Sequence, residues 1–554
     1  MAVAVLVVAF VFTVKLYILQ IVHGDEFKDR ASRQYARVGE NLFDRGSIFF
    51  KGKDGNVISA AALQSGFTVA IEPNKIKDAE SVFESVKKVI PITKEEFLSK
   101  AGKTDDPYEE IAKKIDEKEA SKLEGIQGVS IYKERWRFYP GGTLGAHTVG
   151  LVAYKENTLA GRYGLESYYD DVLRRDNEKL YVNFFAEIFS GVGKVLKKEE
   201  GEGDIIASIE PTAQLFLERE IEKVHKKWNS KQTGGVIMDP KSGAIIAMAA
   251  LPSFNPNSFK TEDPGVFKNP LIEDVYEMGS IMKPLTLAAG IDAGVIKSDS
   301  TYNDKGFLIR DGIKISNFDG KGRGVVSMQE VLSQSLNTGA VYIEEKLGKN
   351  RFADYMRSFG LGEETGIDLP GEIPGLIENL KSPRDIEPAT AAYGQGIAVT
   401  PIAMTRALAS LANGGFLPNP HLVERIDYKS GLFRSRSYGE GEQVIKKETA
   451  EEVTRMLVRV VDTALLGGSI KMKRYTIAAK TGTAQIARPE VGGYYDDRYL
   501  HSFFGYFPAY EPRFIIFLYT VEPKGVTFAS HTLAEPFMSL AKSVIDYYNI
   551  APDR

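Results

Sequence analysis

Apolar positions recur along this chain with two different periods, and the change of period marks its elements. In SIEPTAQLFLEREIEKVHKKW, Ala213, Leu217, Ile221 and Val224 fall on one stripe among charged residues, which predicts an amphipathic helix. Pro211 stands at its start, where a missing N–H costs nothing. GGVIMDPKSGAIIAMAALPSF is two apolar runs around Asp239-Pro240-Lys241-Ser242-Gly243, a predicted hairpin. RYTIAAKTGTAQ, HSFFGYFPAY and RFIIFLYTVEP predict three more strands, and LAEPFMSLAKSVIDYYNI a closing striped helix. Helix and hairpin, then helices, then strands and a last helix describe an α+β layer with an antiparallel sheet flanked by helices.

From about His23 to Glu200 the pattern changes every few residues. NLFDRGSIFFKGKDGNVISAA predicts two short strands around Asp54-Gly55. DAESVFESVKKVI and YEEIAKKIDEKEASKLEGI are expected to be amphipathic helices. The charged, glycine-punctuated KVLKKEEGEGDI, Lys194 to Ile205, reads as a domain seam. The region holds no cluster that carries chemistry, so a spacer or interaction role is expected.

The first 22 residues, MAVAVLVVAFVFTVKLYILQIV, have no polar face and few polar residues. As a helix they span about 33 Å, enough to cross a hydrocarbon core of about 30 Å. A cleaved signal peptide fits less well, for there is no basic n-region and no small-x-small site before HGDEFKDRA. A single membrane anchor is expected, with Lys15 in mid-span pointing to a membrane-embedded partner.

Composition narrows the chemistry. The 554 residues are 43% hydrophobic and 26% charged, with net charge −4, ordinary for a globular body of two or three domains and unlike a nucleic-acid binder. The absence of cysteine removes disulfides, thiolate metal sites and cysteine nucleophiles. The six histidines are scattered without metal-ligand spacing.

Within VYEMGSIMKPLTLAAG, Pro284 and the apolar run after it predict a helix start that places Ser280 and Lys283 on one face. An isolated S-x-x-K is usually a cap with an exposed lysine, and the chain has two more, at Ser85 and Ser539. An ordered set distinguishes this one. About 55 residues later comes SQSLNTGA, with Ser335 and Asn337, and about 145 after that KTGT, Lys480-Thr481-Gly482-Thr483. A serine hydroxyl becomes a nucleophile when a base takes its proton, and a lysine is such a base only when desolvation or a nearby cation lowers its pKa. Lys480 can supply that cation and attract a substrate carboxylate. Ser335 can relay a proton, and the Asn337 amide can bridge Lys283 to a substrate amide. Gly482 is expected to let a substrate backbone lie flush on the strand. The N–H groups of Ser280 and Thr483 are the expected oxyanion donors.

From about Arg37 onward the chain resembles class B penicillin-binding proteins, the monofunctional membrane-anchored peptidoglycan D,D-transpeptidases. The resemblance rests on the triplet and on DRGSIFFKGKDGNVIS, RFYPGGTLGAHTVGLV, GRYGLESYYDDVL, MDPKSGAIIAMAALPSFNPNSF, FGLGEETGIDLPGE and AAYGQGIAVTPIAM, in the family's order. Met278 stands where these proteins usually have proline.

The resemblance implies a penicillin-binding, serine β-lactamase-like transpeptidase domain over 204–554, an elongated pedestal of the dimerisation type over 23–203, and an anchor over 1–22. Ser280 would be acylated, Lys283 its base, Ser335 and Asn337 the second catalytic motif. Lys480, Thr481, Gly482 and Thr483 would bind a D-Ala-D-Ala terminus. No metal or cofactor is implied. The implied partners are stem peptides, β-lactams, the membrane, a membrane-embedded glycan polymerase and other cell-wall or division proteins. The implied place is the cytoplasmic membrane with the catalytic domain outside. A division role is favoured over elongation on the compact pedestal. The alternatives are a scaffold that regulates a glycan polymerase, or a carboxypeptidase or β-lactamase; no E-x-x-L-N-like deacylating loop lies between the second and third motifs.

Overall fold

The computed structural model describes residues 43–155, 158–175, 201–258, 263–439, 441–488 and 490–554. The expected anchor, Met1 to Val22 with Lys15, lies outside them. Among the described residues no helix is long and apolar enough to cross a membrane.

The chain gathers into two compact units, whose described parts are chiefly Leu63–Phe138 and, for the larger, Gly46–Ala62, Tyr139–Arg175 and 201–554. In the smaller unit, helices Ala79–Val86 and Lys94–Ala101 are capped by Asp78 and Thr93. Val69, Ile71, Phe83, Val86 and Phe97 form its core. The stretch expected to be a helix from Tyr108 is instead strand Glu109–Ile115, antiparallel to Val57–Ile71, followed by a single turn capped by Asp116. Ile111 and Ile115 suit either period; pairing with a distant strand settled it, which no local pattern records.

In the larger unit, Ile48–Lys51 pairs with Val57 to Ala61 as the expected hairpin. At the described end of the expected seam, Gly203–Ala207 is a buried strand, parallel to Ile48–Lys51 and antiparallel to Val423–Tyr428.

The unit's main sheet has five antiparallel strands: β1 (Gln232–Met238), β2 (Ile245–Leu251), β3 (Ala478–Ala487), β4 (Tyr494–Phe507) and β5 (Phe514–Val521), in the order β3-β4-β5-β1-β2. Side chains alternate faces along a strand. On β4 the Phe503 ring stacks 4.6 Å from Phe537 of the last helix, while the Tyr506 hydroxyl meets Thr454 at 2.7 Å on a different helix. Helices therefore cover both faces. Pro211–Trp228 (α1) lies against β1 and β2, with its predicted stripe of Ala213, Leu217, Ile221 and Val224 buried.

The other face carries a helical layer in which α2 (Lys283–Asp292) packs against α3 (Asn337–Leu347) and α4 (Lys447–Arg459). Every residue of α2 from Lys283 to Gly290 is buried, which explains its lack of a polar stripe. Burial of Leu285 and Leu287 contributes about 1.5–3 kcal/mol each and offsets part of the cost of enclosing Lys283. β3 is the sheet's outer strand, and its free edge faces the start of α2.

Candidate active site

Gly279–Met282 form one 3₁₀ turn that runs into α2, with Pro284 in the first turn of the helix. Two contacts fix this corner. Gly279, at φ +62°, donates its N–H to the Gly394 carbonyl at 3.0 Å, and the Ser502 hydroxyl donates to the Met278 carbonyl at 2.9 Å. A Cβ on Gly394 would overlap the Gly279 carbonyl, so glycine there permits the close approach.

Lys283 is 1% exposed, and its Nζ meets four oxygens: Ser280 Oγ at 3.0 Å, Ser335 Oγ at 3.1 Å, the Ser335 carbonyl at 2.6 Å and Asn337 Oδ1 at 2.8 Å. The Asn337 amide orientation follows from its other end, where Nδ2 donates to the Ser316 carbonyl at 2.9 Å. The Ser335 carbonyl and Asn337 Oδ1 can only accept. They occupy both N–H groups of a neutral amine and leave its lone pair for a hydroxyl proton.

Lys480 is 3% exposed; its Nζ donates to Ser335 Oγ at 3.1 Å and to the Thr481 carbonyl at 2.9 Å. Burial lowers its pKa to about 7. Burial, and then the charge of Lys480, holds Lys283 well below the ordinary lysine value. Both shifts run toward the uncharged amine, and that of Lys283 also carries the repulsion of Lys480. Ser335 between them has φ +55°, a left-handed conformation rare outside glycine.

An open groove of about 840 Å³ runs over this cluster. Ser280, Ser335, Asn337, Lys480, Thr481 and Thr483 line it, with Lys283 buried beside Ser280. A hollow of about 1250 Å³ walled by Phe416, Glu451 and Tyr510 contains none of these residues.

Gly482 has a packing role that the sequence did not suggest. A Cβ there would overlap Ser502 Oγ and sit 2.5 Å from the Met278 carbonyl. The glycine lets the start of α2 close onto β3. Thr483 accepts at Oγ1 from the Ala529 N–H, 3.1 Å away, and so ties β3 to the last helix.

Sequence reasoning missed Ser316, Ser502 and Gly394. It also missed Phe318 and Phe528, exposed rings that line the groove and meet edge-on at 6.0 Å. AAYGQGIAVTPIAM, quoted above for its resemblance, carried the only signal for Gly394; the others depend on contacts far apart in the chain. The decoy motifs are inert: Ser85 Oγ donates to the Ser81 carbonyl and Ser539 Oγ to Glu220.

An antiparallel sheet faced by helices, with a buried lysine beside a groove-lining serine at a helix start, defines a serine acyltransferase of the penicillin-recognising class. Residues 233–544 match the family model described as Penicillin binding protein transpeptidase domain, and 44–203 the one described as Penicillin-binding Protein dimerisation domain. The chain belongs to the class B penicillin-binding proteins and is a peptidoglycan D,D-transpeptidase by family.

It is 30% identical to stage V sporulation protein D of Bacillus subtilis, over 96% of this chain and 82% of that one. It is 26% identical to peptidoglycan D,D-transpeptidase MrdA of Acinetobacter baumannii, over 96% and 84%. Its fold matches penicillin-binding protein 3 of Mycobacterium tuberculosis, solved with aztreonam, at a TM-score of 0.70 and 21% identity over 93% of this chain and 98% of that one.

Proposed function

We infer that Ser280 is the acylated nucleophile of a cross-linking reaction on stem peptides. The observation that carries this is Lys283: buried, its pKa lowered by that burial, and set 3.0 Å from Ser280 Oγ with two acceptor-only oxygens, the Ser335 carbonyl and Asn337 Oδ1, also in contact. Lys283 Nζ takes the proton as Ser280 Oγ bonds to the penultimate D-Ala carbonyl carbon. The Ser280 and Thr483 N–H groups receive the oxyanion. The C–N bond to the terminal D-Ala then breaks, and its nitrogen leaves with a proton passed through Ser335. Lys480, with Thr481 and Thr483, holds the departing residue's carboxylate, and Asn337 orients the donor amide. An amine from a neighbouring stem attacks the ester carbonyl, forms the cross-link, and returns the proton to Ser280.

In this reading residues 1–22 anchor the chain in the cytoplasmic membrane, 23–203 form the pedestal and 204–554 the extracytoplasmic catalytic domain. The family matches at 44–203 and 233–544 fall inside those bounds. A division role is favoured over elongation on the compact pedestal, with a membrane-embedded glycan polymerase as partner. A fluorescent fusion enriched at the septum supports it; one spread along the side wall assigns the chain to elongation.

Mass spectrometry of the intact protein after penicillin tests the chemistry. One adduct is expected, on the tryptic peptide from Asn269 to Lys297, since trypsin does not cut before Pro284. An adduct elsewhere, or none, removes Ser280 as nucleophile. A label that persists for hours argues against a β-lactamase, and one lost in seconds would establish it. Full growth and cross-linking with Ser280→Ala would make a scaffold role primary.

A further inference from the structure

Beneath the groove lies a buried carboxylate that the catalytic scheme does not use. Asp304, at the end of strand Thr301–Asp304, is 2% exposed and accepts hydrogen bonds from four residues. Its Oδ1 receives the Gly306 N–H at 2.9 Å, Asn317 Nδ2 at 3.1 Å and the Thr338 hydroxyl at 2.8 Å. Its Oδ2 receives Asn317 Nδ2 at 3.0 Å and the Arg323 backbone N–H at 3.1 Å. A carboxylate removed from water and so fully supplied with donors is a rigid anchor, because moving it leaves several buried donors unpaired.

The anchor reaches the second motif from both sides. Downstream, Asn317 Oδ1 accepts the Thr338 N–H at 3.3 Å, an orphan donor in the first turn of α3 that Leu336, the cap residue, cannot satisfy. The adjoining Ser316 carbonyl is the group that fixes Asn337, and through it the second N–H of Lys283. Upstream, the side chain of Arg323 donates from Nε to Gln334 Oε1 at 3.0 Å, beside Ser335. Ser335 therefore adopts its left-handed φ between two neighbours, Gln334 and Thr338, each tied back to Asp304. Such a conformation is costly outside glycine and persists only where the surroundings over-determine it.

We propose that Asp304 is a positioning residue for acyl transfer: it holds Ser335 and Asn337 at the distances Lys283 needs to deprotonate Ser280. The inference rests on the acyl-transfer reading above. Asp304→Asn puts an N–H₂ where Oδ1 or Oδ2 accepts, so a donor faces a donor and the clamp loosens. Thr338→Val removes one hydroxyl donor with little change of shape, at a residue that does not line the groove.

The test is rapid-mixing acylation of the full-length chain by penicillin, resolved into active-site titre, pre-acylation dissociation constant and acylation rate constant. A purely structural role lowers the titre and leaves the rate constant of the folded molecules alone. Positioning does the reverse. For Asp304→Asn the rate constant is expected to fall about tenfold or more, and for Thr338→Val about threefold, with the dissociation constant within about twofold. If Asp304→Asn does not fold, Thr338→Val decides. Rate constants per titrated site within about twofold of wild type in the variants that fold would overturn the proposal. Wild-type protein that is not acylated at Ser280 overturns the reading and the proposal together; normal wild-type acylation with unaltered variants removes only the role of Asp304.

Discussion

Lys283 and Lys480, one from a helix start and one from the sheet's outer strand, both stand 3.1 Å from a single oxygen, Ser335 Oγ. Two ammonium groups cannot share so small a buried space without a large penalty, so the pair holds fewer protons than its residue types suggest. In the proposed mechanism one lysine serves as base because the other is a cation.

The rate of acylation by penicillin should therefore be bell-shaped in pH. It rises as Lys283, depressed by burial and by Lys480, loses its proton. It falls as Lys480, lowered to about 7, loses the charge that holds the substrate carboxylate. Lys480→Arg keeps its charge at any accessible pH, so the descending limb should vanish while the ascending limb remains. A wild-type profile flat from neutrality to high pH would show that the charge on Lys480 does no work in acylation.

Asn337→Asp places a carboxylate where Oδ1 now lies 2.8 Å from Lys283 Nζ. A negative charge there favours the ammonium and raises the pKa of Lys283. The ascending limb should move to higher pH, toward the descending limb set by Lys480, with acylation at neutrality down about 100-fold and recovered on the alkaline side only as far as that limb allows. The same variant loses the donor to the Ser316 carbonyl, so recovery stays incomplete.

Gly482→Ala should act on the corner before Ser280 rather than on substrate directly. The new methyl meets Ser502 Oγ and the Met278 carbonyl, and the backbone must give. Thermal denaturation should show a loss of about 1–3 kcal/mol, with acylation slowed about 10–100-fold. Ser502→Ala in the same chain should restore part of the stability, because it removes one of the two obstructions. A stable, fully active Gly482→Ala chain would mean that α2 does not close on β3 as described.

In the smaller unit, Asp78 caps helix Ala79–Val86 by accepting from the Glu80 and Ser81 N–H groups. Asp78→Ala should cost about 1 kcal/mol in denaturant unfolding of that unit and leave penicillin acylation unchanged. A matching fall in acylation would show that the unit's stability is coupled to the groove.

Legibility in the sequence followed the range of the interaction. The α1 stripe, the hairpin around Asp239–Gly243 and the last three strands were readable, since period and turn chemistry act over a few residues. The helix expected from Tyr108 was not, because Ile111 and Ile115 satisfy a helical spacing as well as a strand's and only the pairing with Val57–Ile71 separates them. Nor do the glycines and charges of the segment ending at Ile205 record that Gly203–Ala207 is a strand held between two partner strands.

At the groove, the likeness of the ordered S-x-x-K, S-x-N and K-T-G set to that of the penicillin-binding proteins nominated Ser280, Lys283, Ser335, Asn337 and Lys480–Thr483. Their protonation was not in the sequence. It arises from exclusion of water around two lysines 197 positions apart, a property of the packed interior alone. Nor could the sequence say that Gly482 makes room for Met278 and Ser502, or that Asp304 braces Ser335. What the chain determined by itself was which groups are present and which local elements carry them. Which of those groups lose their charge, their solvent or their freedom was decided when strands and helices distant in sequence closed on one another, since desolvation and close contact depend on neighbours in space.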